Sequence, residues 1–204
     1  MSSYTRQQLE EWLGIIKIGA MRRVLDVGGA QKPVKPRLGH SGEGSTYTIL
    51  DLPEPHETKE KATQIMDLNE PYLDEDTKKS LEEVEKKILG YDIVFCLEVM
   101  EYIWNPYEAV KNIYLLTKNG GKMYMSVPFI YPVHNPKHND YLRYTDMGIS
   151  RLLENAGFEV NKLIPRVARN YEILRGFYDA EGMKASRDYG SHDVVGWLIE
   201  ATRL

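Results

Sequence analysis

The ten residues VLDVGGAQKP (24–33) constrain the fold more than any other part of this sequence. An apolar run that ends in an acid and two glycines is typical of a buried strand entering a tight loop. Because glycine permits close backbone approach, such a loop can cradle a ligand, although it also fits an ordinary strand-to-helix turn. A dinucleotide pyrophosphate is disfavoured, since the G-x-G-x-x-G pattern needs glycine where Ala30 and Pro33 stand.

Short apolar runs alternate with helical or loop segments along the rest of the chain. The predicted strands are residues 22–27, 47–51, 91–96, 122–128, 158–164 and 194–204. The predicted helices are an N-terminal helix within 1–20 that ends near Gly19, a charged helix over 73–90, and helices over 107–116 and 145–156. This alternation predicts an α/β fold with a parallel-rich sheet covered on both faces. Ligands of such sheets bind beyond the carboxyl ends of the strands.

Composition narrows the class of protein. With 204 residues, 42% of them apolar, the chain is expected to form one domain over 1–204. A formal net charge of −4 gives no general attraction to nucleic acid or anionic membranes. Its single cysteine, Cys96, has no internal disulfide partner, which favours a reducing compartment. Without a signal-peptide pattern or a run of about 18 apolar residues, we predict a cytoplasmic protein with no membrane span.

Acidic residues stand where the predicted strands end. Asp51 ends the second strand, and its two carboxylate oxygens suit the two hydroxyls of a ribose; capping the turn before Pro53 is the alternative. Asp67, in QIMDLNEP, follows a short strand or turn. Beside the apolar Leu68 it suits an adenine amino group and ring face, or it is simply a loop aspartate.

Taken in order, these segments resemble the class I S-adenosylmethionine-dependent methyltransferases over essentially the whole chain. The similar segments are VLDVGGA, YTILD, IMDL, FCLEVMEYIWNP, LLTKNGGKMYMSVPF and LLENAGFEV. In the fourth of them, Tyr102 stands where the family commonly has histidine. The resemblance implies S-adenosylmethionine as the cofactor. It also implies a Rossmann-like, mostly parallel seven-stranded sheet in the order 3-2-1-4-5-7-6, with helices on both faces.

The resemblance further implies which residues bind the cofactor. Asp26 and Gly28 would shape the loop around its methionine part, Asp51 would hold the ribose, and Glu98 would lie where the methionine end meets the acceptor. The full implied set is Asp26, Gly28, Gly29, Ala30, Asp51, Leu52, Asp67, Leu68, Leu97 and Glu98. The family often has glycine at the positions of Ala30 and Lys32. Alanine is small enough to keep the backbone approach, whereas Pro33 stiffens the exit from the loop.

The segment over 127–145 follows the fifth predicted strand and is expected to fold over the acceptor site as a lid. Its pattern resembles a subgroup of methyltransferases associated with sugar or cell-surface polysaccharide modification, which by analogy implies a small-molecule or carbohydrate acceptor. For a hydroxyl acceptor, His134 is the candidate base, with Asp140 or Tyr141 orienting it. A structural histidine and an Asp140–Arg143 pair that fixes the lid are the alternatives.

Other readings of the same segments stay open. His134, His138 and Asp140 are suitable metal ligands, but Pro136 argues against a regular helix that would align them, and no metal is expected. Aromatic residues near the lid fit a wall for a sugar ring or ordinary core packing. They are Tyr102, Trp104, Phe129, Tyr131 and Tyr141.

Residues 166–193 are expected to connect the last two strands, either closing over the acceptor or forming homodimer contacts. The sequence has no concentrated basic stripe, which disfavours a nucleic-acid substrate. Two other functions compete with methyl transfer. One is a non-catalytic scaffold or cofactor sensor, suggested by the altered glycine loop, and the other is a nicotinamide oxidoreductase.

Overall fold

A computed structural model describes residues 3–55, 58–72, 90–133, 139–168 and 194–204. In these ranges the chain forms a seven-stranded sheet in the order β3-β2-β1-β4-β5-β7-β6, which confirms the predicted fold. The strands are β1 (Arg23–Val27), β2 (Thr46–Asp51), β3 (Gln64–Ile65), β4 (Tyr91–Leu97), β5 (Thr117–Pro128), β6 (Phe158–Val167) and β7 (Val194–Arg203). The α-helices of the described residues are α1 (Tyr4–Ile15), α2 (Pro106–Leu116) and α3 (Asp146–Ala156).

Strands β1 to β5 run parallel, and β7 lies antiparallel between β5 and β6. The carboxyl ends of the five parallel strands therefore meet at one edge of the sheet, where α/β proteins bind their ligands. Strands β1 and β4 are buried along almost their whole length, as expected for strands covered on two faces.

The apolar core forms two layers, one on each face of the sheet. Side chains alternate between the faces, so that Val24 packs with α1 while its neighbour Leu25 packs with α2 and α3. On the α1 side the core includes Leu9, Trp12, Leu13, Phe95 and Tyr124. The sheet thus holds its polar strand ends in a fixed arrangement between two packed layers.

Helix α3 matches its sequence signals closely. The Thr145 side chain accepts a hydrogen bond from the backbone N–H of Gly148 at 3.1 Å, and Gly157 ends the helix with φ +105°. An N-cap threonine and a C-terminal glycine in the left-handed region are typical helix ends, and they bound the helix predicted over 145–156.

The N-terminal helix is shorter than predicted: it ends at Ile15, not near Gly19. From Ile16 the backbone is extended, and the N–H of Ile18 donates to the carbonyl of His40 at 2.9 Å. The β-branched Ile16 and Ile18 suit this extended pairing as well as they suit a helix, and both are buried in it.

Two further boundaries differ from the prediction. Strand β5 begins at Thr117 and carries a register shift opposite Tyr91, because the chain bulges around Gly120, where φ is +70°. A 3-10 turn at Met100–Tyr102 follows β4, and α2 begins at Pro106, one residue before the predicted helix over 107–116.

Residues 73–89 of the predicted helix over 73–90 and residues 169–193 of the predicted connection over 166–193 lie outside the described residues. Strand β6 takes up the beginning of that connection, since it extends to Val167. No helix in the described ranges has the length and apolar character needed to cross a bilayer.

Candidate functional site

A cleft opens at the carboxyl edge of the sheet between β1 and β4. These neighbouring strands mark the point where the strand order reverses, which is the usual ligand position in open α/β sheets. The cleft is lined mainly by polar side chains. Its lining residues are Arg6, Asp26, Val27, Gly28, Gln31, Lys32, Arg37, Leu97, Glu98, Glu101 and Tyr102.

The loop after β1 requires both of its glycines. Gly28 has φ +68°, and a Cβ there would lie 2.5 Å from Cγ2 of Val99. A Cβ on Gly29 would lie 2.5 Å from Oδ2 of Asp26. Ala30 is fully buried, so a small side chain is accommodated where the family often has glycine. The loop therefore keeps a close backbone approach to the cleft.

Asp26 fixes the far end of the loop after β1. Its side chain is buried, and Oδ2 accepts a hydrogen bond from the backbone N–H of Val34 at 2.6 Å. Burial raises the pKa of Asp26 to about 7, although the bond from Val34 acts in the opposite direction. The chain thus continues through Lys32 and Pro33 directly to Val34, whose backbone N–H holds Asp26 in place.

Asp51 joins the end of β2 to the same loop. Oδ2 accepts a bond from the N–H of Ala30 at 3.0 Å, and Oδ1 accepts one from the N–H of Leu52 at 2.9 Å. The carboxylate therefore makes the turn-capping contact that was the structural alternative. Because two carboxylate oxygens offer about four acceptor positions, hydroxyl groups can still bind there. Leu52, beside it, is 43% exposed.

The segment after β3 is fixed by α2. Asp67 Oδ1 accepts bonds from the backbone and side chain of Asn69, at 2.9 and 2.8 Å. Asn112 on α2 donates to the carbonyls of Leu68 and Glu70, at 3.1 and 2.8 Å. Leu68 itself is 4% exposed, so its side chain is part of the core.

A basic cluster at the mouth of the cleft was not predicted from the sequence. Glu10 on α1 pairs with Arg6 at 2.9 Å, Lys32 at 2.7 Å and Arg37 at 3.0 Å. Although burial opposes it, bonds and charges from Arg37 and Lys32 lower the pKa of Glu10 to about 2. Three cations surround one carboxylate, so this end of the cleft is positive.

The opposite wall contains a second unpredicted pair. Arg166 on β6 donates to Glu98 Oε1 at 2.7 Å, and its side chain is 4% exposed. Its guanidinium reaches Glu98 over Gly196 on β7, where a Cβ would lie 2.7 Å from Nη2. Glu98 has φ +56°, an uncommon conformation for a residue with a side chain, directly after β4.

Glu101 lies at the floor of the cleft, three residues beyond Glu98. The residue is fully buried, and neither carboxyl oxygen has a hydrogen-bond partner among the described residues. Burial, followed by the charge of Glu98, raises the pKa of Glu101 well above its usual value. Its backbone carbonyl accepts bonds from the N–H groups of Tyr141 and Leu142, so the lid segment is anchored here.

Within the lid segment, Asp140 pairs with Arg143, whose guanidinium also donates to the carbonyls of Tyr131 and Pro132. This is the pairing that the sequence offers as a structural role for Asp140. Tyr141 is 49% exposed. His134 and His138 lie outside the described residues. In the described ranges, no group of three or more side chains of metal-ligand type comes together.

Comparisons with known proteins agree with this architecture. Residues 3–163 match the family described as "Methyltransferase domain". No curated protein gives a significant match. Among solved structures, an S-adenosylmethionine-dependent methyltransferase from Mesorhizobium loti superimposes with a TM-score of 0.56 at 13% identity, covering 98% of each chain.

Two other structural neighbours are proteins with different activities. Phosphoethanolamine N-methyltransferase 2 of Haemonchus contortus, in complex with S-adenosylmethionine, gives a TM-score of 0.54 at 16% identity, covering 98% of this chain and 51% of that one. The [4+2]-cyclase SpnF gives 0.60 at 12%, covering 99% and 83%. At such identities the likeness shows the fold alone. The family match supports S-adenosylmethionine as the cofactor, as predicted from the sequence. This chain belongs to the methyltransferase domain family.

Proposed function

We propose that the protein transfers the methyl group of S-adenosylmethionine to a small-molecule or carbohydrate acceptor. The observation that carries the proposal is the cleft between β1 and β4, lined by Asp26, Gly28 and Glu98, whose glycine loop is bonded to Asp51. A cofactor of this kind needs a loop that its amino-acid part can approach, acceptors for its ribose and a counter-charge for its carboxylate.

The residues present fit these requirements. Gly28 and Gly29 allow a loop so tight that any Cβ would collide with Val99 or Asp26, and Asp51 retains acceptor capacity beside the loop. Arg6, Lys32 and Arg37 outnumber Glu10 and supply positive charge for a carboxylate. When bound, the cofactor supplies the methyl group, while the cleft positions the acceptor for in-line substitution.

His134 remains the base predicted from the sequence, with Asp140 and Tyr141 as its predicted neighbours. The contact between Asp140 and Arg143 supports a positioning role for Asp140, since Arg143 also bonds the carbonyls of Tyr131 and Pro132 and so ties the two ends of the lid segment together. The sugar-like acceptor, a cytoplasmic location and a homodimer are likewise predictions from the sequence.

Calorimetric titration with S-adenosylmethionine and S-adenosylhomocysteine tests the cofactor half of the proposal. We expect saturable binding, and Asp51→Ala is expected to weaken it at least tenfold, whereas Glu11→Gln, on an exposed position of α1, leaves it unchanged. Absence of both heat and thermal stabilisation at millimolar cofactor would sink the proposal.

Radiolabelled methyl transfer from S-adenosylmethionine into small-molecule and glycan fractions of a cell extract tests the catalytic half. Incorporation that depends on the protein excludes the scaffold and sensor alternative. That alternative deserves the test because SpnF, a protein of the same fold, is described as a cyclase.

A further inference from the structure

Glu101 is an unusual group to find at the floor of a cleft. The residue is 0% exposed, and within the described ranges both Oε1 and Oε2 lack a hydrogen-bond partner. Leaving a buried polar group unpaired costs about 1–3 kcal/mol, and more for a charged one. Such a cost is rarely retained unless the group has a functional partner.

The charged and titratable groups around Glu101 come from several elements. They are Cys96 and Glu98 from β4 and its end, Tyr102 from the same turn, Arg143 and Tyr144 from the segment before α3, and Arg166 from β6. Each of the two guanidinium groups already has an acidic partner: Arg166 pairs with Glu98, and Arg143 pairs with Asp140. No described residue bonds the Glu101 carboxyl group, although Arg166 Nε also lacks a hydrogen-bond partner; a cation or a hydrogen-bond donor that enters the cleft would supply the missing partner of Glu101.

We propose that Glu101 is the catalytic carboxylate of this site, facing the sulfonium of bound S-adenosylmethionine and taking the proton of the acceptor. This inference rests on the proposed function. It assigns the acceptor a nucleophilic hydroxyl or amine, because a carboxylate or phosphate acceptor would be repelled by Glu98 and Glu101 together.

The step balances in atoms and charge. A bond forms between the acceptor oxygen or nitrogen and the methyl carbon, and the bond from that carbon to sulfur breaks with its electron pair left on sulfur. The acceptor's proton passes to the Glu101 carboxylate. The negative charge on Glu101 and the positive charge on sulfur disappear together, so the buried site keeps the same net charge throughout.

Proton release on binding tests this arrangement without any acceptor. In the free protein, burial and then the charge of Glu98 raise the pKa of Glu101 well above its usual value, which favours its protonated form. A sulfonium beside it favours the ionised form, whereas the neutral sulfur of S-adenosylhomocysteine does not. Calorimetry in phosphate and in Tris, whose ionisation enthalpies differ, counts the protons released. We expect up to about one more proton with S-adenosylmethionine than with S-adenosylhomocysteine.

The variant Glu101→Gln is expected to abolish this difference, while Glu108→Gln on α2 preserves it. If the wild-type protein releases equal numbers of protons with both compounds, or if Glu101→Gln keeps the difference, the inference is wrong. A wild-type protein that binds neither compound removes the proposed function as well, so the two failures are distinguishable.

Stability and turnover separate a catalytic from a structural Glu101. Glu101→Gln is expected to leave the melting temperature unchanged or higher, because it replaces an unpaired acid by a neutral group of the same shape. Radiolabelled methyl incorporation is expected to fall about 100-fold or more. A lower melting temperature with unchanged incorporation would show a structural role. Full incorporation by Glu101→Gln together with loss in His134→Ala would assign the base to His134 instead.

Discussion

The two walls of the cleft satisfy their carboxyl groups in different ways. On the wall formed by the glycine loop, Asp26 and Asp51 accept bonds from backbone N–H groups of the loop after β1, and Asp51 accepts one more from its neighbour Leu52. On the wall formed after β4, Glu98 pairs with an arginine that is distant in sequence, and the Glu101 carboxyl group has no hydrogen-bond partner in the part of the chain that the structure describes. Carboxylates bound to the backbone hold the cofactor loop in shape. On the opposite wall, the carboxyl groups of Glu98 and Glu101 do not hold a loop in this way. A ligand can therefore bind to them.

The largest effect is expected from breaking the pair between Glu98 and Arg166. Glu98→Leu leaves Arg166 buried without a counter-charge, and we expect the free energy of unfolding to fall by about 3–5 kcal/mol. Arg166→Met is expected to cost less, because the Glu98 side chain is 25% exposed whereas that of Arg166 is 4% exposed. Urea denaturation of both variants measures the asymmetry.

The double variant Glu98→Leu/Arg166→Met provides the control for this prediction. Replacing both members of a buried ion pair by apolar groups is often close to neutral, so the double variant is expected to be more stable than Glu98→Leu alone. Equal losses in the two single variants that simply add in the double variant would show that the pair does not act as a unit.

A smaller effect is expected from the glycine loop of the opposite wall. Gly28→Ala and Gly120→Ala both place a side chain at a φ near +70°, which costs about 1–2 kcal/mol. Only at Gly28 would the new Cβ meet another atom, Cγ2 of Val99, so Gly28→Ala is expected to cost about 1–3 kcal/mol more. S-adenosylhomocysteine affinity should fall at least tenfold in Gly28→Ala and stay unchanged in Gly120→Ala. Equal stability of Gly28→Ala and Gly120→Ala would contradict the expected clash between the new Cβ at position 28 and Val99.

Local patterns explain why the fold could be predicted. The alternation of apolar runs with helical segments, read beside the resemblance to a known family, gives the strand order that the sheet shows. Helix α3 follows from its cap at Thr145 and its terminal glycine. The end of α1 was misplaced because Ile16 and Ile18 continue an apolar pattern that a helix and an extended segment both satisfy.

The site could be predicted only in part, for a different physical reason. Asp26, Gly28 and Asp51 belong to short segments whose chemistry is visible in the sequence. The contacts of Glu98 with Arg166 and of Glu10 with Arg37 join residues that are 68 and 27 positions apart. No periodicity encodes such pairs, since they arise from the order of β4, β5, β7 and β6 and from the position of α1. Gly196 leaves room for the Arg166 side chain of the first pair. The sequence alone does not show that Arg166 crosses this glycine.

The smallest effect is expected at the mouth of the cleft, where Glu10 neutralises part of the basic cluster. The pKa of Glu10 in the folded protein, about 2, lies below its ordinary value of 4.5. Its ionised form therefore stabilises the fold above about pH 4.5, and this contribution disappears as the pH falls towards 2. Because the Glu10 side chain is 33% exposed, we expect Glu10→Gln to cost only about 1 kcal/mol at pH 7, with no further loss attributable to this position in acid.

Ligand affinity is expected to move in the opposite direction in the same variant. Without Glu10, the charges of Arg6, Lys32 and Arg37 are no longer partly neutralised, so an anionic carboxylate entering the cleft meets a more positive surface. S-adenosylhomocysteine should bind about threefold more tightly at low salt, and the gain should shrink as salt screens the cluster. Glu11→Gln, on the exposed face of α1, is the control for the loss of one negative charge. If Glu10→Gln binds the compound more weakly than Glu11→Gln does, the cluster serves to fix α1 to the loop and does not attract the cofactor.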